Sequence, residues 1–300
     1  MNLRPHLPII IVHCPQKVGS TSLVSSLRLF ALHKYEIFHI HDERIFPLLG
    51  VSEEIKTVPE LVSNLAKERK VYVIQIYKPQ IERLISCFFE HLSAFHYNTT
   101  DEQINKYSID KLSKRFNQSF FHIGEWNGKY GKENYVNKNG ELDANIEVIE
   151  LCCGNDIKKT KLAWSNKLSN ILNTKISVIV DRPTTHPKYK IFKEEYRIPL
   201  IILNKLKEKD TVMSRYLNTE EIENYYTTWY KKSIDTIPYA LWTDEQYKFY
   251  YEISAENQTN NIISFNHYAD TGCACMKCMN KRVWIRNNLL KLTQIPPVIH

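Results

Sequence analysis

Apolar residues fall along this chain in short β-branched runs that alternate with longer stretches of helical period. Pro8-Ile9-Ile10-Ile11-Val12 is the first run and predicts a buried strand. It breaks into His13-Cys14-Pro15-Gln16-Lys17-Val18-Gly19 and an amphipathic stretch follows, with Leu23, Leu27 and Phe30 on one stripe of a helix from about Thr21 to Leu32. A second strand is predicted at 35–40, ending at His41-Asp42-Glu43, and a third at 71–77. Pro59 suits the first turn of a helix running to about Arg69. Another helix is predicted from Gln80 to about His96, with Ile81, Leu84, Ile85, Phe88 and Phe89 inward. Nearly continuous apolar strands separated by helices predict an α/β fold, a three-layer arrangement with a central parallel sheet flanked by helices.

Beyond Thr99 the pattern weakens. Helical character is expected at 101–115, and Asn127-Gly128 and Asn139-Gly140 mark turns, so 99–156 reads as an insertion over the sheet. Further on, helices are predicted at 160–172, 200–207, 219–232 and 243–256, with a strand at 175–180 between the first two. Asn218 with Glu221 three residues later fits a capping box. The C-terminal part is thus mostly helical. The organisation expected is one α/β domain over 1–256, then a cysteine-rich turn and a basic helix over 257–300.

Composition narrows the classes. A net charge of +7 with dispersed basic residues gives no nucleic-acid signature and suits an anionic small partner. No apolar run reaches the roughly 20 residues of a membrane span, and the N-terminal apolar patch lacks a signal cleavage site, which reads as cytoplasmic. Seven cysteines, an odd number, argue against a disulfide framework.

The chemistry concentrates after the first strand. Lys17, Val18, Gly19, Ser20, Thr21 and Ser22 occupy a strand–loop–helix junction, where free N–H groups and the positive helix end attract an anion. A triphosphate loop requires Gly-x4-Gly-Lys-Ser/Thr, but here Lys17 precedes Gly19, which disfavours an ATPase, GTPase or kinase. The third predicted strand ends in Lys78-Pro79-Gln80-Ile81-Glu82-Arg83-Leu84-Ile85-Ser86-Cys87-Phe88-Phe89, a second basic–helix junction. Lys17, His41 and Lys78 all fall at carboxyl ends of strands, where such sheets bind ligands.

Lys17-Val18-Gly19-Ser20 resembles the 5′-phosphosulfate loop of sulfotransferases that use 3′-phosphoadenylyl sulfate (PAPS). Lys78 and Ser86, eight positions apart, with Glu82-Arg83 between them, resemble the second signature of that family, which grips the 3′-phosphate. The wording of both motifs is most similar to the sulfotransferase-like capsular polysaccharide synthesis proteins, as is, more faintly, Glu220-Glu221-Ile222-Glu223 followed by Trp229. The likeness covers about the first third of the chain firmly and the remainder loosely. It implies sulfuryl transfer from PAPS to a hydroxyl acceptor, a carbohydrate in polysaccharide biosynthesis, with Lys17 at the leaving phosphate and the N–H groups of 18–22 around it. Lys78 stands where the family has arginine, which keeps charge and loses the bidentate fork; a non-catalytic nucleotide- or glycan-binding protein is the alternative.

For the general base, His41 and Glu43 are the first candidates by position, with His91, His96 and His122 behind them. His39 alternates with His41 and is expected to point into a helix layer. Arg83 reads as a structural charge. Near the C-terminus, His267, Cys273, Cys275 and Cys278 have the residue types of a Cys3His zinc site with a structural role, beside the basic Lys281, Arg282 and Arg286.

Overall fold

The computed structural model describes residues 6–90, 105–120, 130–154, 156–181, 187–243 and 245–246. Its centre is a four-stranded, all-parallel sheet in the order β2-β1-β3-β4. The strands are β1 (Ile9–His13), β2 (Glu36–Ile40), β3 (Val71–Tyr77) and β4 (Ile146–Cys152). Ile9, Ile10, Ile11 and Val12 are all inaccessible to solvent, as a central strand covered on both faces requires.

The period of two along β1 divides its side chains between two layers. Ile10 and Val12 pack with Leu23, Val24 and Leu27 of α1 (Ser20–Ala31). Ile9 and Ile11 pack on the other face, with Val58, Leu61, Val62 and Leu65. Those four belong to α3 (Val58–Ala66), which follows the one-turn α2 (Phe46–Leu49). Thr57 caps α3 in a reciprocal box with Glu60, so the helix begins one residue before Pro59.

Helix α4 (Gln80–Glu90) is buried around its whole circumference from Ile81 to Phe89. Its five expected inward residues pack against a separate helical layer through Phe116, Phe192, Tyr196, Ile202 and Leu203. Phe116 comes from α5 (Ile109–Phe120), Phe192 from α7 (Lys188–Glu195) with Tyr196 just past its end, and Ile202 and Leu203 from α8 (Leu200–Lys209). Between them in the chain lies α6 (Ile157–Ile171), on the α1 side of the sheet. After α8 comes α9 (Thr219–Tyr230), capped by Asn218 and Glu221 as the sequence predicts. Two short parallel strands, β5 (Ile198–Pro199) and β6 (Ser233–Ile234), tie the ends of this layer together.

Two expectations are corrected. The stretch 99–156 is not wholly an insertion, because β4 lies inside it and pairs with β3 along seven residues. The strand expected at 175–180 does not form. Ile176 and Val178 do pack in the core with α1 and α6, but serine hydroxyls take the backbone N–H groups that a neighbouring strand would otherwise satisfy. Ser169 Oγ accepts from Ile176 N at 2.9 Å, Ser165 Oγ from Val178 N at 3.0 Å, Ser26 Oγ from Ile179 N at 3.0 Å and Ser22 Oγ from Asp181 N at 2.9 Å.

His267, Cys273, Cys275, Cys278 and the basic final helix lie outside the described residues, as do His91, His96, His122 and most of the helix expected at 243–256. No helix among the described residues is long and apolar enough to cross a membrane.

Candidate functional site

At the carboxyl end of β1 the chain turns through two left-handed residues, Lys17 (φ 64°) and Gly19 (φ 90°). Between them Val18 drops its side chain into the core beside Leu23 and Trp164. A lysine in the left-handed region costs about 1–2 kcal/mol relative to ordinary helical backbone. Gly19 needs its lack of a side chain for a second reason: a Cβ there would meet Trp164 Cη2 at 3.3 Å. The Trp164 indole is itself fixed by donating to Cys152 O at 2.8 Å, so the ring braces the loop against the end of β4.

Helix α1 starts at Ser20 with no side-chain cap and no acidic residue in its first turn. Its first backbone bond runs from Leu23 N to Gly19 O, so the N–H groups of Ser20, Thr21 and Ser22 have no intrahelical acceptor. The three hydroxyls have different fates. Ser20 is buried and bonds the Cys14 thiol. Ser22 donates to Asp181 O and accepts from Asp181 N, while Ser25 donates to the Asp181 carboxylate at 2.6 Å. Only Thr21 keeps a hydroxyl with no hydrogen-bond partner among the described residues. Of the residues expected from the sequence to hold an anion, Ser20 and Ser22 therefore have backbone N–H groups to offer.

Lys78 follows β3 directly and is half-buried. Its ammonium has no hydrogen-bond partner among the described residues, and its pKa is lowered. Burial is the main cause, Lys193 and Lys17 add repulsion, and Cys153 and Glu82 act in the opposite sense. Three lysines from β3's end, the β1 loop and α7 thus share one electrostatic environment. Ser86 is buried two turns into α4 and hydrogen-bonds the phenol of Tyr189. Glu82, one turn before it, accepts from Tyr225 Oη at 2.7 Å and Trp229 Nε1 at 3.2 Å, and burial pushes its carboxyl above the usual range. A cavity of about 510 Å³ adjoins this group, lined among others by Pro79, Glu82, Lys193, Tyr225, Trp229 and Lys232. Arg83 is buried too, where its charge acts on Tyr130 and Asp210.

On the β2 side, His41 is buried with Nδ1 2.7 Å from Cys14 O. His39 does point toward the α1 layer, where it feels the charge of Arg28, but His41 lies beside it with ring centroids 4.4 Å apart. Burial holds His39 well below its ordinary pKa, and raises the Cys14 thiol to about 12. Glu43 is half-buried in a single 3-10 turn, Glu43–Ile45, with its charge acting on the phenols of Tyr130 and Tyr135. Tyr130 donates to His41 O at 2.7 Å, and Tyr135 Oη is 2.5 Å from His13 Nδ1.

The fold thus gathers Lys17, Gly19, the α1 N-terminus and Lys78 at the carboxyl end of the sheet, with His41 and Glu43 on the β2 flank. Sequence reading missed Trp164 and Lys193: each sits on a helix more than 70 residues from the motifs, and only tertiary packing brings it in. No family model, curated protein or solved structure matches this chain.

Proposed function

We propose that the chain binds a nucleotide phosphorylated at both its 3′ and 5′ positions and acts as a sulfotransferase, using PAPS and a hydroxyl acceptor. The observation that carries this reading is Lys78: a half-buried ammonium with no hydrogen-bond partner among the described residues, close to Lys17 and Lys193. Leaving a cation partly desolvated without a hydrogen-bonded counter-ion is costly unless an anion completes the site. The uncapped N-terminus of α1 supplies a second anion-binding element on the adjacent strand unit. Two separated anion sites fit a nucleotide carrying phosphate at both ends.

The residues then take distinct tasks. The N–H groups of 20–22 and the Thr21 hydroxyl hold the 5′-phosphate, and Lys17 places positive charge where negative charge grows on the leaving oxygen. Lys78 holds the 3′-phosphate, with Ser86 as the second contact. Bound PAPS supplies the sulfuryl group, whose S–O bond to the 5′-phosphate is exchanged for one to the acceptor oxygen. Glu43 receives the acceptor's proton. His41, with Nδ1 bonded to Cys14 O and its ring against His39, is given a structural task in place of the base role. A carbohydrate acceptor rests on the resemblance to capsular polysaccharide synthesis proteins.

The test is transfer of radiolabelled sulfate from PAPS to a panel of polysaccharides. Label should appear on at least one acceptor and fall by 100-fold or more in Lys17→Ala, on the order of one lost transition-state contact. One observation favours a binding-only reading, the lysine at 78 in place of the bidentate arginine. Nucleotide binding with no transfer to any acceptor would select it.

A further inference from the structure

One group of chemistry-bearing side chains is not used by the proposed transfer. Cys14, His39 and His41 are buried together where β1 and β2 end. Their ligand atoms, the Cys14 thiol sulfur and one ring nitrogen from each histidine, all lie within 4.8 Å of one another. The strand register explains the meeting. His13 pairs with Ile40, so Cys14 and His41 follow as the next residues of the two neighbouring chains. His39, two residues before His41, shares its face of the sheet.

We propose that Cys14, His39 and His41 form a binding site for a divalent metal ion of the zinc class, seated beneath the phosphate loop. One thiolate and two imidazoles are a borderline-soft donor set that suits zinc or cobalt and not the oxygen-seeking magnesium or calcium. Zinc–sulfur and zinc–nitrogen bond lengths put tetrahedral ligand atoms roughly 3.5 Å apart, so the cluster needs to contract by about 1 Å to close on an ion. The surroundings have the features of an outer shell. His41 Nδ1, 2.7 Å from the Cys14 carbonyl, donates to it, which fixes the tautomer and makes Nε2 the nitrogen that would ligate. The Ser20 hydroxyl hydrogen-bonds the Cys14 sulfur and so orients it. Metal binding replaces the thiol proton, which leaves to solvent, and a water takes the fourth position. The ion would fasten the loop's first residue to β2.

The test uses the full-length chain carrying Cys273→Ser, Cys275→Ser and Cys278→Ser, so that the C-terminal thiols cannot supply ligands. After chelator treatment this protein is titrated with cobalt(II). Uptake of one cobalt per chain with thiolate-to-cobalt charge-transfer absorption, displaced by zinc, is the expected result. Adding Cys14→Ser should abolish the band, and Ser20→Ala, which keeps all three ligands, should weaken uptake about 10-fold. The proposal is overturned if the three-serine protein, with near-ultraviolet circular dichroism like its parent's, takes up no cobalt. It is equally overturned if the band survives Cys14→Ser. Should Cys14→Ser not fold, unchanged cobalt affinity in Ser20→Ala overturns it.

Discussion

At Gly19 two constraints coincide: a φ of 90° and a tryptophan carbon 3.3 Å from where a Cβ would stand. Gly19→Ala is therefore expected to destabilise the protein by about 1–2 kcal/mol, read as a lower urea midpoint. It should also weaken nucleotide binding by tilting the first turn of α1. Glu82 makes a different demand, because burial raises its carboxyl pKa while Tyr225 and Trp229 hold the ionised form. A group whose folded pKa is raised contributes stability that is complete below its unfolded pKa and is lost as pH rises through the folded one. Stability should thus decline from the ordinary glutamate value upward, and Glu82→Gln should lack that decline in denaturation series across pH. Lys17 and Gly19 were legible in the sequence because their order around one loop is local. The hydroxyl assignments were not, since Ser22 and Ser25 meet Asp181 more than 150 residues away.

Elements repeat this contrast between local and distant causes. The apolar runs of β1 and β3, the inward stripe of α4 and the capping box of α9 were all readable, because each depends on neighbours within a few turns. β4 was overlooked. It is an edge strand with a half-buried glutamate on each face, Glu147 and Glu150, which breaks the apolar run, and it follows a polar stretch rich in turns. The opposite error occurred at 175–180, where Ile176, Val178 and Ile179 have the composition of a strand but bond to hydroxyls on two helices. Ser26 has the most to lose, being fully buried, accepting from Ile179 N and donating to Ser22 O. Ser26→Ala is expected to cost about 1–3 kcal/mol, the range for a buried donor left unsatisfied. Amide exchange at Ile179 should accelerate with it, whereas a true strand ladder there would keep Ile179 protected.

For the molecule as a whole, the parallel sheet sends the carboxyl ends of its strands to one edge, where Lys17 and Lys78 stand. The first three strand–helix units, which the sequence made plain, deliver Lys17 and Lys78. The C-terminal helices, placed by tertiary packing, add Lys193 and the Trp229 wall of the cavity. The site is thus assembled from a legible half and a half that only the fold reveals. Its charge should make nucleotide affinity fall as salt rises. Replacing Lys78 with arginine should tighten the 3′-phosphate contact through a bidentate fork.

The most direct measurement is calorimetric titration of the full-length protein with adenosine 3′,5′-bisphosphate. Saturable binding is predicted, lost in Lys17→Ala and weakened roughly 10- to 100-fold in Lys78→Ala, the equivalent of one charge-assisted hydrogen bond. A folded protein that releases no heat of binding, or a Lys17→Ala variant that binds as tightly as its parent, would contradict the account.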